Sequence, residues 1–306
     1  MSLSEQIQLK FFDKDAFTMN DVYEVIPDKP HTTLRARIYD NLGIKFEKIS
    51  RNLYRTIKDN CQCMIIEGDG RDLSMLEDNS VDCIITDHPW EDRANKGGNR
   101  NFALYPTFNY TYKDFTEKAR VLKEGSFLVE ILPEEKETNY EYLYKIKKMA
   151  EENGLQYYAK VTWKKGTFVS NTGRKAKNSE DVMIFSKGKP RELRIDAKKT
   201  KALGVTTYMS GTNKMLPTEF NIQAVPVCKK VNQAEKPVAL YEQIIDYITQ
   251  EGELIVDQFA GSGSLGVAAL NKHRNCILIE KVKENIEKIK ERFIKTFGTC
   301  ECFSLT

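Results

Sequence analysis

The 306-residue sequence predicts an α/β fold built on a mostly parallel twisted sheet, with a small separate segment in front of it. Three observations carry this expectation. Short, nearly continuous apolar runs recur from residue 62 onward, as strands buried on both faces require. Helical patterns that end near glycines lie between them. A glycine-rich turn, Gly261-Ser-Gly-Ser-Leu-Gly266, falls where one apolar run stops and a helix begins. A chain of this length buries about three quarters of its unfolded surface, enough for one large domain and a small one.

Residues 1–60 form the small segment. Thr18-Met-Asn-Asp21 predicts a capping box that opens a short helix through Ile26, stopped by Pro27-Asp-Lys-Pro30. Thr32 or Thr33 is expected to cap a second helix that places Leu34, Ile38 and Leu42 on one face and ends at Gly43. Residues 44–57 alternate apolar and polar positions around Ser50-Arg51-Asn52, which predicts a hairpin. Helix, turn, helix and basic hairpin in this order resemble a winged helix-turn-helix. Such a module would lay Arg35 and Arg37 in a groove of DNA and rest Arg51 on phosphates; a helical cap packed on the main domain is the alternative.

Residues 61–306 form the main domain. Its strands are expected at 63–69, 81–87, 126–132, 254–259 and 276–280, and helices over 140–154 and 236–252. Residues 155–165 and 181–187 predict an antiparallel pair at one sheet edge, flanking a basic loop. Residues 188–232 follow neither period and are expected to form a short insertion over the catalytic face, a candidate target-recognition region. Residues 91–109, rich in glycine and polar side chains, suit either a loop that orders over a substrate or an ordinary surface loop.

Net charge is only +3, from 47 basic and 44 acidic residues, but it is unevenly placed. Residues 29–58 hold eight Lys/Arg against two Asp/Glu, and residues 160–201 hold thirteen against four. Two basic segments on an acidic remainder point to a polyanion, with two solvated lysine-rich surfaces as the plainer reading. Seven cysteines without zinc-ligand spacing, and only three histidines, give no reason to expect a metal. No signal-peptide core and no long apolar run is present, so a cytoplasmic, reduced protein without a membrane partner is expected.

Two stretches carry chemistry. In Val256-Asp-Gln-Phe-Ala-Gly-Ser-Gly263, the glycines let the backbone turn sharply and approach a ligand, while the next helix offers free N–H groups. As GxGxxG alone it is compatible with a dinucleotide. Glu280, at the tip of the next strand, can accept both hydroxyls of a ribose. The second stretch, Ile85-Thr-Asp-His-Pro-Trp90, follows a strand with an acid, a stiff peptide and an aromatic ring. By itself it reads most simply as a strand end and a surface turn.

Together these stretches resemble the S-adenosylmethionine-dependent DNA amino-methyltransferases. The likeness rests on residues 65–90, which resemble that family's run into an Asp-Pro-Pro-Tyr turn, on residues 256–266, on Lys236-Pro237 and on the order of the two motifs. The order, with the catalytic strand ahead of the glycine turn, is that of the family's permuted, beta-class subgroup. The resemblance implies a Rossmann-like methyltransferase with S-adenosylmethionine as cofactor, no metal, and double-stranded DNA as partner. Cofactor contacts would come from Asp69, Lys236, Pro237, Asp257, Phe259, Gly261, Ser262, Gly263 and Glu280. Catalysis would fall to Asp87, His88, Pro89 and Trp90: the carboxylate and the main-chain carbonyl of residue 88 accept the protons of a flipped amine, and the ring of Trp90 stacks on the base.

His88 departs from the family's proline, gives up rigidity, and is expected either to lower activity or to touch a phosphate or the base edge. Lys164, Lys165, Arg174 and Lys175 would add DNA contacts. Asp87 favours adenine N6, with cytosine N4, RNA adenine, or a regulatory subunit that has lost turnover as alternatives. The same resemblance admits a second copy of the chain, another subunit or a cognate restriction endonuclease as further partners.

Overall fold

The computed structural model describes residues 3–11, 14, 16–42, 45–56, 61–90, 107–166, 178–192, 215–232, 234–297 and 304–305. It divides into two compact units, with the main boundary between Cys61 and Gln62.

In the N-terminal unit, helix α1 (Leu3–Lys10) leads to a short strand β1 (Phe17–Thr18), helices α2 (Met19–Val25) and α3 (His31–Tyr39), and strands β2 (Phe46–Ser50) and β3 (Leu53–Thr56). The three strands form an antiparallel sheet in the order β1-β3-β2. The capping box is real: Thr18 N–H donates to Asp21 Oδ2 at 2.6 Å, and the Asp21 N–H returns to Thr18 Oγ1 at 3.3 Å. Helix α3 starts earlier than the threonines suggest, with Pro30 at its N-cap and no side-chain cap. The ring of His31 instead lies flat on Tyr23, centroids 3.7 Å apart, and anchors the first turn by a tertiary contact. The helix also closes at Tyr39, short of Gly43, because the chain already turns to bring Leu42 beside Phe46; Gly43 lies outside the described residues. Asn52, left-handed at φ 61°, makes the hairpin turn after Arg51. Phe11, Phe17, Val22, Leu34, Ile38 and Phe46 close a separate core.

The larger unit contains strands β4 (Cys63–Glu67), β5 (Val81–Thr86), β6 (Leu122–Pro133), β7 (Leu155–Lys164), β8 (Ser179–Lys187), β9 (Glu219–Asn221), β10 (Leu254–Asp257), β11 (Asn275–Glu280) and β12 (Ser304–Leu305). Its helices are α4 (Tyr112–Val121), α5 (Tyr140–Glu152), α6 (Val238–Ile248), α7 (Ser264–Asn271) and α8 (Lys283–Phe297). The sheet order is β12-β4-β11-β10-β5-β6-β8-β7-β9, parallel from β12 through β6. Alternation along each strand sends side chains to two cores. Cys83 and Ile85 pack with α6, α7 and α8, while Ile84 packs with α4 and α5.

The antiparallel pair β7–β8 forms as expected but is not the edge, because β9 pairs with β7 outside it. Residues 188–232 are therefore not wholly an insertion. Their segment 219–221 belongs to the sheet, Phe220 is fully buried, and Trp163 Nε1 donates to the Ile222 carbonyl at 2.8 Å. Among the described residues no helix is long and apolar enough to cross a membrane.

Strand β10 sits directly between β11 and β5. The chain leaves β10 through α7 toward β11, and leaves β5 through α4 toward β6, in opposite directions. Sheet order thus reverses between β10 and β5, and a crevice opens at their carboxyl ends. Gly70, after β4, lines the same edge: a Cβ there would stand 1.7 Å from the Gln258 carbonyl oxygen and 2.9 Å from the Phe259 ring. Gly70→Ala is expected to cost roughly 1–3 kcal/mol through this overpacking, seen as a lower thermal midpoint; an unchanged midpoint would show that the close approach is not structural.

Candidate active site

The glycine turn forms one wall of the crevice. Asp257, at the end of β10, accepts from the Phe259 N–H at 3.1 Å and from the Thr86 hydroxyl of β5 at 3.3 Å. Gly261 and Gly263 are left-handed, φ 53° and 71°, and a Cβ on Gly263 would stand 2.8 Å from Ile289 of α8. The chain can therefore double back into α7 only without side chains at these positions. Glu280 accepts the Gly261 N–H at 2.8 Å through Oε2, and the Val282 N–H (2.9 Å) and Asn285 amide (3.3 Å) through Oε1. Among the described residues, three of its four lone-pair positions are taken and one on Oε2 is not.

Two residues that sequence reasoning missed hold this turn in place. Arg292 of α8 donates to Glu235 Oε1 at 2.7 Å, to the Ser262 carbonyl at 3.1 Å and to Ser264 Oγ at 3.1 Å. Glu235 is buried and accepts the Val231 N–H at 2.6 Å through its other oxygen. Glu235 directly precedes the Lys236-Pro237 pair, but its partner lies 57 positions further on, so no local signal marks it. Ser262 is itself buried, its hydroxyl 3.0 Å from Ser264 Oγ, so its side chain serves the turn and is not open to a ligand. Asp69 lies exposed at the end of β4, paired with Lys281 at 3.0 Å. Phe259 joins a group of rings with Phe108 and Tyr110, at 5.4 and 6.5 Å.

The opposite wall is the turn after β5. Asp87 Oδ2 meets Lys236 Nζ at 2.5 Å, and the same ammonium lies 3.4 Å from Glu180 Oε2 of β8. Glu180 is also paired with Lys165. Lys236 therefore stands on the acid of this turn, and Lys165 is turned inward and is not a free contact for a phosphate. Lys164 remains exposed, and Arg174 and Lys175 lie outside the described residues. Burial pushes the Asp87 carboxyl up to about 6; Lys236 opposes this and Glu180 adds to it. Burial works against the Lys236 ammonium, yet the carboxylates on either side hold it above the usual lysine range. Asp257 is pushed up to about 7, mainly by burial. Asp87 Oδ1 has no hydrogen-bond partner among the described residues.

His88 does not reach a phosphate or a base edge. Its ring is buried, with Nε2 2.6 Å from the Tyr142 hydroxyl and Nδ1 3.7 Å from Glu130 Oε2. Tyr142 accepts the Tyr110 N–H at 3.1 Å, and Tyr110 in turn donates its hydroxyl to Glu130 at 3.3 Å. Glu130 is ion-paired with the fully buried Lys118, whose ammonium sits 3.5 Å above the Tyr110 ring. Burial holds His88 below the ordinary imidazole range, against the opposing pull of the Glu130 carboxylate. Nδ1, 3.7 Å from that carboxylate, makes no hydrogen bond among the described residues. On the main chain, the His88 carbonyl accepts the Trp90 N–H at 2.8 Å, closing a three-residue turn around Pro89. That carbonyl keeps a second lone pair. The Trp90 side chain is half-buried.

The sheet reversal thus brings Asp87, Lys236, Asp257, Phe259, the glycine turn and Glu280 to one edge. An open α/β sheet with a glycine turn on one side of its crevice and a half-buried carboxylate on the other defines the ligand-binding edge of a Rossmann-like fold. Comparison with known proteins makes the class particular. Residues 81–291 match the N6/N4 DNA methylase family, and the chain belongs to it. It is 29% identical over 238 residues to the type II methyltransferase M.HpaI of Haemophilus parainfluenzae, covering 74% of this chain and 72% of that protein. Among solved structures it resembles the M1.HpyAVI complex with SAM, at 24% identity and TM-score 0.50, over 76% of this chain and all of that one. It also resembles the cytosine-N4-specific PvuII DNA methyltransferase, at 19% identity and TM-score 0.57, over 78% of this chain and 88% of that one.

Tyr142→Phe tests the network beneath the turn. It leaves the His88 ring nitrogen and the Tyr110 N–H without their partner and is expected to destabilise the protein by roughly 1–3 kcal/mol, read from the denaturation midpoint. Stability equal to that of the unaltered protein would mean that the hydroxyl holds nothing.

Proposed function

We propose that this protein transfers a methyl group from S-adenosylmethionine to N6 of an adenine flipped out of double-stranded DNA. The observation that carries the reading is the Asp87 carboxylate, whose Oδ1 has no partner among the described residues, at the end of the strand that pairs with the one leading into the Gly261–Gly263 turn. The side chains fit the cofactor. Side-chain-free backbone at the turn permits close approach, the remaining acceptor position on Glu280 suits a ribose hydroxyl, and Phe259 offers an apolar face. When bound, S-adenosylmethionine supplies an electrophilic methyl on its sulfonium.

An exocyclic amine is a weak nucleophile because its lone pair is delocalised into the base. Acceptors that gather its protons let the nitrogen pyramidalise as it attacks. Asp87 Oδ1 and the spare lone pair of the His88 carbonyl are the acceptors in this reading, and the Trp90 ring stacks on the base. With its carboxyl at about 6, Asp87 is ionised at neutral pH yet more basic than an ordinary aspartate, which suits it to take up the released proton. The ammonium of Lys236 keeps that carboxylate ionised between Asp257 and Glu180. Adenine is favoured by the acid at position 87, where the family resemblance associates serine with cytosine.

The direct test incubates the pure protein with labelled methyl donor and mixed-sequence duplex DNA and digests the product to nucleosides. Labelled N6-methyladenine is expected; N4-methylcytosine would overturn the base assignment, and no product would overturn the activity. Asp87→Ala is expected to abolish transfer while methyl-donor binding, followed by calorimetry, stays close to that of the unaltered protein. The pH dependence has a definite sign. The Asp87 pKa is raised, so acceptor capacity is present above about 6 and is lost as pH falls through that value. Lys236→Met removes the charge that lowers this pKa, so the acid limb of the kcat profile is expected to move to higher pH; movement the other way would contradict the pairing.

A further inference from the structure

The N-terminal unit presents a face that the chemistry of the crevice does not use. Because α3 buries Leu34 and Ile38, it turns Thr32, Arg35, Ala36 and Tyr39 outward in a single stripe at helical spacing. The stripe holds a cation and an aromatic ring and no carboxylate. Most of the neighbouring positive charge is spent internally. Arg55 is buried against Glu47, Arg37 reaches Asp40 at 3.3 Å, and Lys29 lies 3.7 Å from Asp28. Arg35, Lys48 and Arg51 are exposed and have no carboxylate partner among the described residues.

These three belong to one surface. The Lys48 ammonium of β2 lies 5.6 Å over the ring of Tyr39, which joins the helix stripe to the β2–β3 hairpin, and Arg51 stands at the hairpin tip beside the left-handed Asn52. The Tyr39 hydroxyl is held below the usual phenol range, by the hydrogen bond from Tyr54 first and then by the charge of Lys48 and Arg35. Nine helical residues span about 14 Å at 1.5 Å each, and the major groove of B-DNA is about 12 Å wide. The deep, narrow major groove of duplex RNA does not admit such a helix. Element order and sheet order are those of a helix-turn-helix with a wing.

We propose that this face is a second DNA-binding surface, separate from the catalytic crevice. Helix α3 enters the major groove with Thr32, Arg35 and Ala36 toward base edges, and Lys48 and Arg51 rest on phosphates. Thr32 and Ala36 offer methyl groups to thymine, and the Arg35 guanidinium can pair with a guanine edge. The proposal rests on DNA as the substrate class and is independent of which base is methylated.

The test measures binding of the full chain to a fluorescent mixed-sequence duplex at several salt concentrations, by anisotropy. The double variant Arg35→Ala/Arg51→Ala is expected to weaken binding about tenfold or more and to flatten the salt dependence by about one to two phosphate equivalents. The KM for DNA should rise accordingly, with kcat at saturating DNA unchanged. Arg37→Ala, whose charge is already engaged by Asp40, should change affinity no more than about twofold. Anisotropy reads binding without turnover, so a failure of the catalytic reading, seen as no methylated nucleoside, stays distinguishable from a failure of this one. The proposal is overturned if the double variant keeps its affinity and salt slope, or if duplex RNA competes as well as duplex DNA.

Discussion

Parallel pairing between β5 and β10 is the constraint on which the site depends. It is pinned at both ends by side chains. Near the start, Asp82 of β5 accepts the Leu254 N–H of β10 at 3.0 Å; near the finish, Thr86 donates to Asp257 at 3.3 Å. A one-residue slip would send Cys83 and Ile85 to the wrong core and turn Asp87 away from the crevice. With the register held, the chain leaves the two strands in opposite directions, and the space between the departing segments is where a ligand can lie against a carboxylate. Asp87 and the glycine turn are 170 or more positions apart in the chain, and this pairing makes them neighbours.

Placing polar groups at the top of a buried sheet has a cost, and two networks offset it. Asp87, Lys236, Glu180 and Lys165 alternate in sign, so each of these partly buried charges has an opposite neighbour. Beneath the turn, Tyr142, His88, Tyr110, Glu130 and Lys118 form a second set. Buried ion pairs add little net stability compared with apolar packing, but removing one partner is expensive. Their value here is geometric. A proline at 88 would fix the turn through its own ring; the imidazole is instead held through Tyr142, and the main-chain carbonyl accepts the Trp90 N–H. Position 88 can thus depart from the family's proline without losing the turn.

Much of this architecture is legible in the sequence because it depends on local signals. The apolar runs at 63–67, 81–86, 254–257 and 275–280 become the core strands, and the capping box at Thr18 and the turn at Arg51-Asn52 form where short-range chemistry dictates. Asp87, Glu280 and the glycines stand out because each lies at or just past a strand end. Other features depend on distant partners and give no such signal. Strand β9, three residues with charged and amide flanks, is held by β7 and Trp163 and has no period of its own. Lys165 reads as part of a solvated basic run until Glu180 is placed opposite it. Glu235 and Arg292 are ordinary surface types in sequence and become anchors, the first buried and the second half-buried, only when α8 crosses the glycine turn. The start of α3 follows a ring stack, which competes with threonine capping and wins.

The measurement that tests the central claim most directly is a crystal structure of the protein with S-adenosylhomocysteine and a duplex containing its methylation site. The account predicts the ribose at Glu280, the sulfur between the Gly261–Gly263 turn and Asp87, and an extruded base whose exocyclic nitrogen lies within hydrogen-bond reach of Asp87 Oδ1. Ligand density away from the β5–β10 crevice, or a base amine that does not approach Asp87, would contradict it.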